Sequence, residues 1–247
     1  MTKQAAITLI FALALITNSF GQTAKPQSSL NTPVRNAVEY FDQIKERRFN
    51  DYLRSVRPEK LSPTLKARAL SLLRKEDLVN PSAKGQTKLD ALAPILNYHE
   101  RNSVIELKVL RVPTATTAFL AGAAVLITEP ALDILSTEEL QAMVAHELGH
   151  EYYWSEFELA RQQGQDQKLQ ELELRCDGIA VITLCQLGLN PESLISGVLK
   201  LNRYNGHKEG ATAAGRYVLL EERVKFIRAM IEMTQAGSKV PLALACK

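Results

Sequence analysis

A helix that carries two histidines four residues apart, with an acid beside the first, constrains this chain more than any other feature. His146-Glu147-Leu148-Gly149-His150 is such a segment. On an α-helix, positions four apart sit about 40° apart around the axis and roughly 6 Å along it, so both imidazoles can converge on one ion. The stretch before them, 135–145, reads as the start of that helix. Ser136 is a favourable N-cap, Glu139 three residues later completes a capping box, and Leu140, Met143, Val144 and Leu148 form an apolar stripe at helical spacing. The pattern is HExxH. Zinc suits imidazole ligands, and a water-activating zinc takes three protein ligands and keeps a fourth position for solvent. Glu147 is close enough to accept a proton from that water. The competing reading is a surface helix with two solvated histidines. Against it, two of the chain's four histidines fall within these five positions.

One more ligand is required. The run Glu171-Leu172-Glu173-Leu174-Arg175-Cys176-Asp177 also reads as helix, continuing through Gly178 to Leu187. Glu173 and Asp177, four apart, share a face. One carboxylate can bind the ion while the other accepts the second ring N–H of a ligand histidine and so fixes its tautomer. Glu171, about 200° around the helix from Glu173, points elsewhere. Taken alone, such a run is an ordinary solvated charge cluster. Beside HExxH, Glu173 becomes the expected third ligand and Asp177 the residue that orients a ligand histidine.

HELGH followed by Glu-x-x-x-Asp resembles the zinc metallopeptidases that include HtpX and the type I CaaX prenyl endopeptidase, whose periplasmic relatives act in outer-membrane protein quality control. Upstream, Thr117-Ala118-Phe119 with Gly122, then Ala124–Thr128, is similar to that family's Asn-Ala-Phe segment and following strand. Leu132, Leu135, Ser136, Glu139 and Leu140 match the approach to its active-site helix. Downstream, Leu220-Glu221-Glu222-Arg223-Val224 resembles a late Leu-Glu-Glu-Arg-Ile segment. The likeness covers roughly residues 95–230. It implies an α+β, mostly helical, zincin-like core with a small β-sheet beside the HExxH helix, one Zn2+ per chain, and a peptide or unfolded protein as substrate. The chain departs from the family at three places. Tyr217, followed by Val218, stands where a His-Pro pair is usual, Thr117 stands for asparagine, and Cys176 for alanine. Tyr217 is either a donor to a developing oxyanion or a packing residue. Arg223 either supports the pocket or the tetrahedral intermediate, or forms an ordinary surface salt bridge.

Residues 1–21 read as a signal peptide. Lys3 gives a positive start, the apolar run 5–16 is too short to span a bilayer comfortably, and Ser19 and Gly21 are small where a signal peptidase inspects. A retained N-terminal anchor is the alternative. Export to a periplasm or the exterior is expected. Residues 22–33, rich in Ser, Thr, Gln and Pro, read as a flexible leader, and 34–240 as one metallopeptidase domain. Only about twenty residues separate His150 from Glu173, too few for the spanning helices of membrane-embedded relatives, so no transmembrane span is expected in the mature chain. The formal net charge is a modest +3, with no nucleic-acid motif and no aromatic-rich basic stripe, so no nucleic-acid partner is expected. Cys176 and Cys185, nine apart on one helix, cannot join each other; with Cys246 the count is odd, and buried thiols are the expected form.

Elsewhere, 34–56 has helical periodicity with Val34, Val38, Phe41, Ile44 and Tyr52 on one stripe. Residues 63–75 suit a helix capped by Ser62 with Pro63 in its first turn, and 87–97 a helix that Pro94 kinks or shortens. A strand is expected over 104–112, one or two buried strands over 119–128, helices over 191–201 and 216–233, and a polar loop containing His207 between those helices. Ala118, Phe119, Leu120 and Ala121 are read as a sheet edge to which an extended substrate adds, or equally as an interior strand. Tyr152, Tyr153 and Trp154 are read as packing residues rather than pocket walls. The expected activity is that of a zinc-dependent endopeptidase. The rival class is an exported chaperone or assembly factor that grips unfolded chains with little proteolysis, followed by a zinc hydrolase of non-peptide amides.

Overall fold

The structure, a computed structural model, describes residues 32–45, 49–206 and 218–237. In chain order it contains α1 (Thr32–Lys45), α2 (Phe49–Ser55), α3 (Pro63–Leu70), a 3-10 turn (Lys75–Asp77), β1 (Leu78–Val79), α4 (Ala83–Asp90), α5 (Ala93–Tyr98), β2 (Glu106–Leu110), β3 (Thr117–Leu120), β4 (Ala124–Thr128), α6 (Glu129–Ile134), α7 (Thr137–Tyr152), α8 (Trp154–Gln162), α9 (Asp166–Gln186), α10 (Glu192–Gly206) and α11 (Leu220–Gly237). It is a mostly helical α+β fold with one small mixed sheet, as expected. No helix among the described residues is long and apolar enough to cross a membrane.

The sheet runs β1-β2-β4-β3, with β2 parallel to β4 and the outer pairs antiparallel. The apolar segment 119–128 resolves into β3 and β4, joined by a turn in which Ala121 (φ 45°) and Gly122 (φ 74°) are both left-handed. Two successive positive φ values suit the twist of a tight hairpin. Ala121, expected in the edge strand, therefore lies in the turn. Side chains alternate across the sheet as the period of two requires. Phe119, Val125 and Ile127 enter the main core, while Ala118, Leu120 and Leu126 meet Leu70, Leu73 and Leu78 on the opposite face. The sheet is thus covered on both sides, and β3 forms one of its edges.

α7 and α9 form the centre of the helical layer. α9 packs on α1, α7, α8 and α11, while α10 and β3 close on α7. Every residue of α7 from Glu139 to Glu151 is buried. A helix enclosed all round belongs to the middle of a core, so the stripe read from sequence marked only part of its packed surface. α1 supplies Val34, Phe41 and Ile44 to the same core, and Gly178 of α9 admits the Phe41 ring where a Cβ would overlap it.

Several boundaries differ from expectation. Thr32 and Pro33, expected in the leader, form the first turn of α1, and the single helix over 34–56 is two, α1 and α2. α3 has its Ser62 cap but stops at Leu70. The helix expected over 87–97 begins at Ala83 under a Ser82 cap and breaks ahead of Pro94, whose ring occupies the first turn of α5. α10 continues to Gly206, past the last apolar-periodic residue, because buried Asn205 bonds both the N–H and the C=O of Ala115 at 3.0 and 2.9 Å. The signal segment, His207, Tyr217 and Cys246 lie outside the described residues. Tyr153 is buried, Tyr152 bonds His99, and the Trp154 ring meets Phe119 at 6.0 Å, so all three aromatics pack.

Candidate metal centre

The HExxH segment occupies the last two turns of α7. The helix starts where the sequence indicates: the Ser136 hydroxyl accepts from the Glu139 N–H at 3.2 Å, and the Glu139 carboxylate accepts from the Ser136 N–H at 2.7 Å. Satisfying these orphan amides fixes the phase of the helix from its first turn.

Gly149 brings α9 against α7 beside the two histidines. A Cβ built on it would stand 2.8 Å from Cys176 Cα, so the two backbones touch there. Cys176 is buried at this crossing, and burial pushes its thiol pKa well up. It acts as a small apolar residue. Cys185, also a free thiol, lies further along α9, with its sulfur 3.5 Å from Thr234 Oγ1. The crossing sets Glu173 one turn before the contact and Asp177 just after it, level with the histidines.

His146 Nε2 lies 3.6 Å from Glu173 Oε2, and His150 Nε2 lies 3.9 Å from the same oxygen. One ligand atom from each of His146, His150 and Glu173 falls within 4.8 Å of the others. Tetrahedral donors held at zinc–ligand distances stand about 3.4 Å apart. The set is therefore near the required spacing, and two nitrogens with one carboxylate oxygen are ligands that zinc accepts.

The surrounding groups orient these donors. Asp177 Oδ1 accepts from His146 Nδ1 at 2.8 Å, which turns Nε2 towards Glu173. Arg223 grips Asp177 with Nε on Oδ2 and Nη2 on Oδ1, both at 2.7 Å. Burial works to raise the Asp177 pKa, but Arg223 and His146 override it and hold it at about 2. Burial likewise opposes ionisation of Glu173, and the two histidines hold it at about 2. The His150 ring packs on Phe157 at 4.8 Å between centroids. Glu171 points away, as expected, to Lys168 and Arg175.

Glu147 is buried with its two oxygens in different situations. Oε1 accepts from Thr117 Oγ1 at 2.7 Å, whereas Oε2, 3.9 Å from His150 Nε2, has no hydrogen-bond partner among the described residues. A buried carboxylate oxygen without a donor is costly. An orphan of this kind beside three convergent ligand atoms fits a site shaped around a bound ion and its water.

Residues 81–170 match the model of Peptidase family M48. The match runs from the loop before α4 into the first turns of α9, takes in the whole HExxH segment, and ends ahead of Glu173. It supports an M48 metallopeptidase reading, to which Glu173, Asp177 and Arg223 then contribute from outside the matched stretch. No curated protein matches the chain.

Of the sequence readings for Arg223, support of the pocket is the one that agrees with the structure, since the residue backs Asp177 behind His146. It forms no surface salt bridge, and its guanidinium is committed to Asp177 rather than turned to an oxyanion. Ala118, Phe119 and Leu120 do lie in an edge strand, packed beside α7. The hydroxyl of Thr117 on Glu147 was not foreseen. The only signal for it was that a short hydroxyl residue stands where asparagine is usual, and that signal names no partner.

Proposed function

We propose that the protein is a zinc-dependent metalloendopeptidase that hydrolyses peptide bonds of proteins. The observation that carries this is the convergence of His146, His150 and Glu173, with the orphan oxygen of Glu147 3.9 Å from His150 Nε2. The M48 match supports the same reading.

His146, His150 and Glu173 would hold the ion, with Asp177 fixing the His146 tautomer. Zinc, when bound, brings the pKa of a water towards neutrality and polarises the scissile carbonyl. Glu147 Oε2 takes the proton of the attacking water and passes it to the departing amine. An extended peptide would lie along the outer edge of β3, held by main-chain hydrogen bonds that do not depend on its side chains. That mode suits unfolded protein substrates. The resemblance to HtpX and the CaaX endopeptidase, together with the signal-like segment 1–21, supports an exported enzyme of envelope protein quality control.

The test is cleavage of denatured casein by the purified chain, with chelator and with zinc restored. Activity should vanish with chelation and return with zinc. Glu147→Gln should keep zinc and fold while turnover falls by at least about 100-fold. Zinc-independent suppression of client aggregation without cleavage would instead favour the chaperone class.

A further inference from the structure

We propose that Thr117 is a positioning residue for the general base, its hydroxyl fixing Glu147 so that the unbonded Oε2 faces the ion. The inference rests on the metallopeptidase reading and concerns how this chain aims its base.

Glu147 has several side-chain torsions, and its place on α7 sets only its Cα. One hydrogen bond reaches its carboxylate among the described residues, from Thr117 Oγ1 at 2.7 Å. The hydroxyl has one proton, and Glu147 Oε1 receives it. Oε2 is thereby turned to the side where His150 Nε2 lies, 3.9 Å away. Both residues are buried, so the bond does not compete with bulk water.

The hydroxyl is itself well fixed. Thr117 is β-branched, with restricted χ1, and its backbone pairs with Ile127 at the start of β3. Its strand phase matches that of Phe119, which enters the main core. The preceding residues are secured from two sides: Asn205 holds Ala115, and Thr128 Oγ1 accepts from the Thr116 N–H at 3.0 Å. The edge strand that would receive substrate thus also carries the residue that orients the base. A sub-ångström shift of β3 would move both.

Three full-length variants test this. Thr117→Val keeps shape and strand propensity but removes the hydroxyl, Thr117→Ser keeps the hydroxyl, and Glu147→Gln marks loss of the base. Zinc affinity, kcat and KM on denatured casein, and calorimetric affinity for a simple peptide hydroxamate are measured on each zinc-loaded protein. A hydroxamate chelates zinc and donates its O–H proton to the neighbouring base, so it reports the aim of Glu147 without turnover. Thr117→Val should lower kcat by about 10- to 100-fold and hydroxamate affinity by about tenfold, with zinc affinity and KM little changed. Thr117→Ser should restore most of both losses.

Wild-type values in Thr117→Val, or a serine variant as impaired as the valine one, would overturn the proposal. So would a loss of zinc affinity that parallels the loss of rate, since that marks a structural role. If the wild type binds zinc and hydroxamate but cleaves nothing, the peptidase reading fails while the hydroxamate series still decides the role of Thr117. If it binds no zinc, both fall.

Discussion

Arg223 grips Asp177 through two parallel hydrogen bonds of 2.7 Å, and Asp177 spends one of the same oxygens on His146 Nδ1. A candidate ligand histidine, a buried acid and a distant arginine are thus joined in one chain from α7 through α9 to α11. The bidentate fork is the strong form of this pair. Asp177→Asn should keep the shape but weaken zinc binding by about 10- to 100-fold. Arg223→Met leaves a buried carboxylate without its counter-charge and should cost about 3–5 kcal/mol of stability. The double variant should lose less than the sum of the two, because a neutral asparagine amide in place of the Asp177 carboxylate has no charge to strand. Chemical denaturation and zinc competition measure both; strictly additive losses would show that the two groups act apart.

Glu173 and Glu171 stand two residues apart on one helix and should behave in opposite ways. Glu173→Ala removes the proposed third ligand and should weaken zinc binding severely with a modest effect on the metal-free fold. Glu171→Ala breaks bonds to Lys168 and Arg175 and should cost about 1–3 kcal/mol with zinc affinity unchanged. Unaltered zinc affinity in Glu173→Ala would place the third ligand elsewhere.

Gly149 is the smallest part of the motif and the least replaceable sterically. In Gly149→Ala the added carbon would meet Cys176 Cα at 2.8 Å, a backbone atom with no rotamer to move. Overpacking of this kind costs about 1–3 kcal/mol. Because the same contact carries Glu173 and Asp177 towards the histidines, zinc affinity should fall as well. Gly188, with open space around its Cβ but φ of 68°, is the control: alanine there strains the backbone but should leave zinc binding intact. A Gly149→Ala protein with wild-type stability would mean that the helices separate freely.

Acid should destabilise the fold through His99, which is not one of the candidate metal ligands. Its Nε2 faces Thr183 Oγ1 at 3.0 Å, and that hydroxyl donates to Ile179 O, so Nε2 carries the proton. Nδ1 then accepts from Tyr152 at 2.8 Å, and the ring is neutral. Burial, then Arg57 and Arg101, push its pKa down to about 3. An unfolded chain titrates near 6.5, so between those values it binds more protons than the folded one. Stability should therefore fall as pH drops below about 6.5, by at most about 1.4 kcal/mol per pH unit. His99→Gln should be less stable at pH 7 but show a shallower loss between pH 6.5 and 4.5. Parallel pH profiles would remove His99 from this role.

The centre of this protein was legible in its sequence because it is built from local rules. The cap at Ser136, the four-residue spacing of His146 and His150, and the shared face of Glu173 and Asp177 all follow from helix geometry within single elements. Segment boundaries were less legible where continuation depended on distant partners. α10 runs on to Gly206 through a clamp on Ala115, and 119–128 folds as a hairpin whose turn claims Ala121.

From the chain alone came the candidate ligands, the candidate base and the helix that bears His146, Glu147 and His150, since periodicity and side-chain chemistry need no knowledge of neighbours. Only the tertiary structure decided which groups aim them: Arg223 behind Asp177, Thr117 on Glu147, and Gly149 against Cys176. Each of these contacts joins residues at least 27 positions apart. Their meeting depends on how helices and sheet pack in three dimensions, and spacing along the sequence does not encode that.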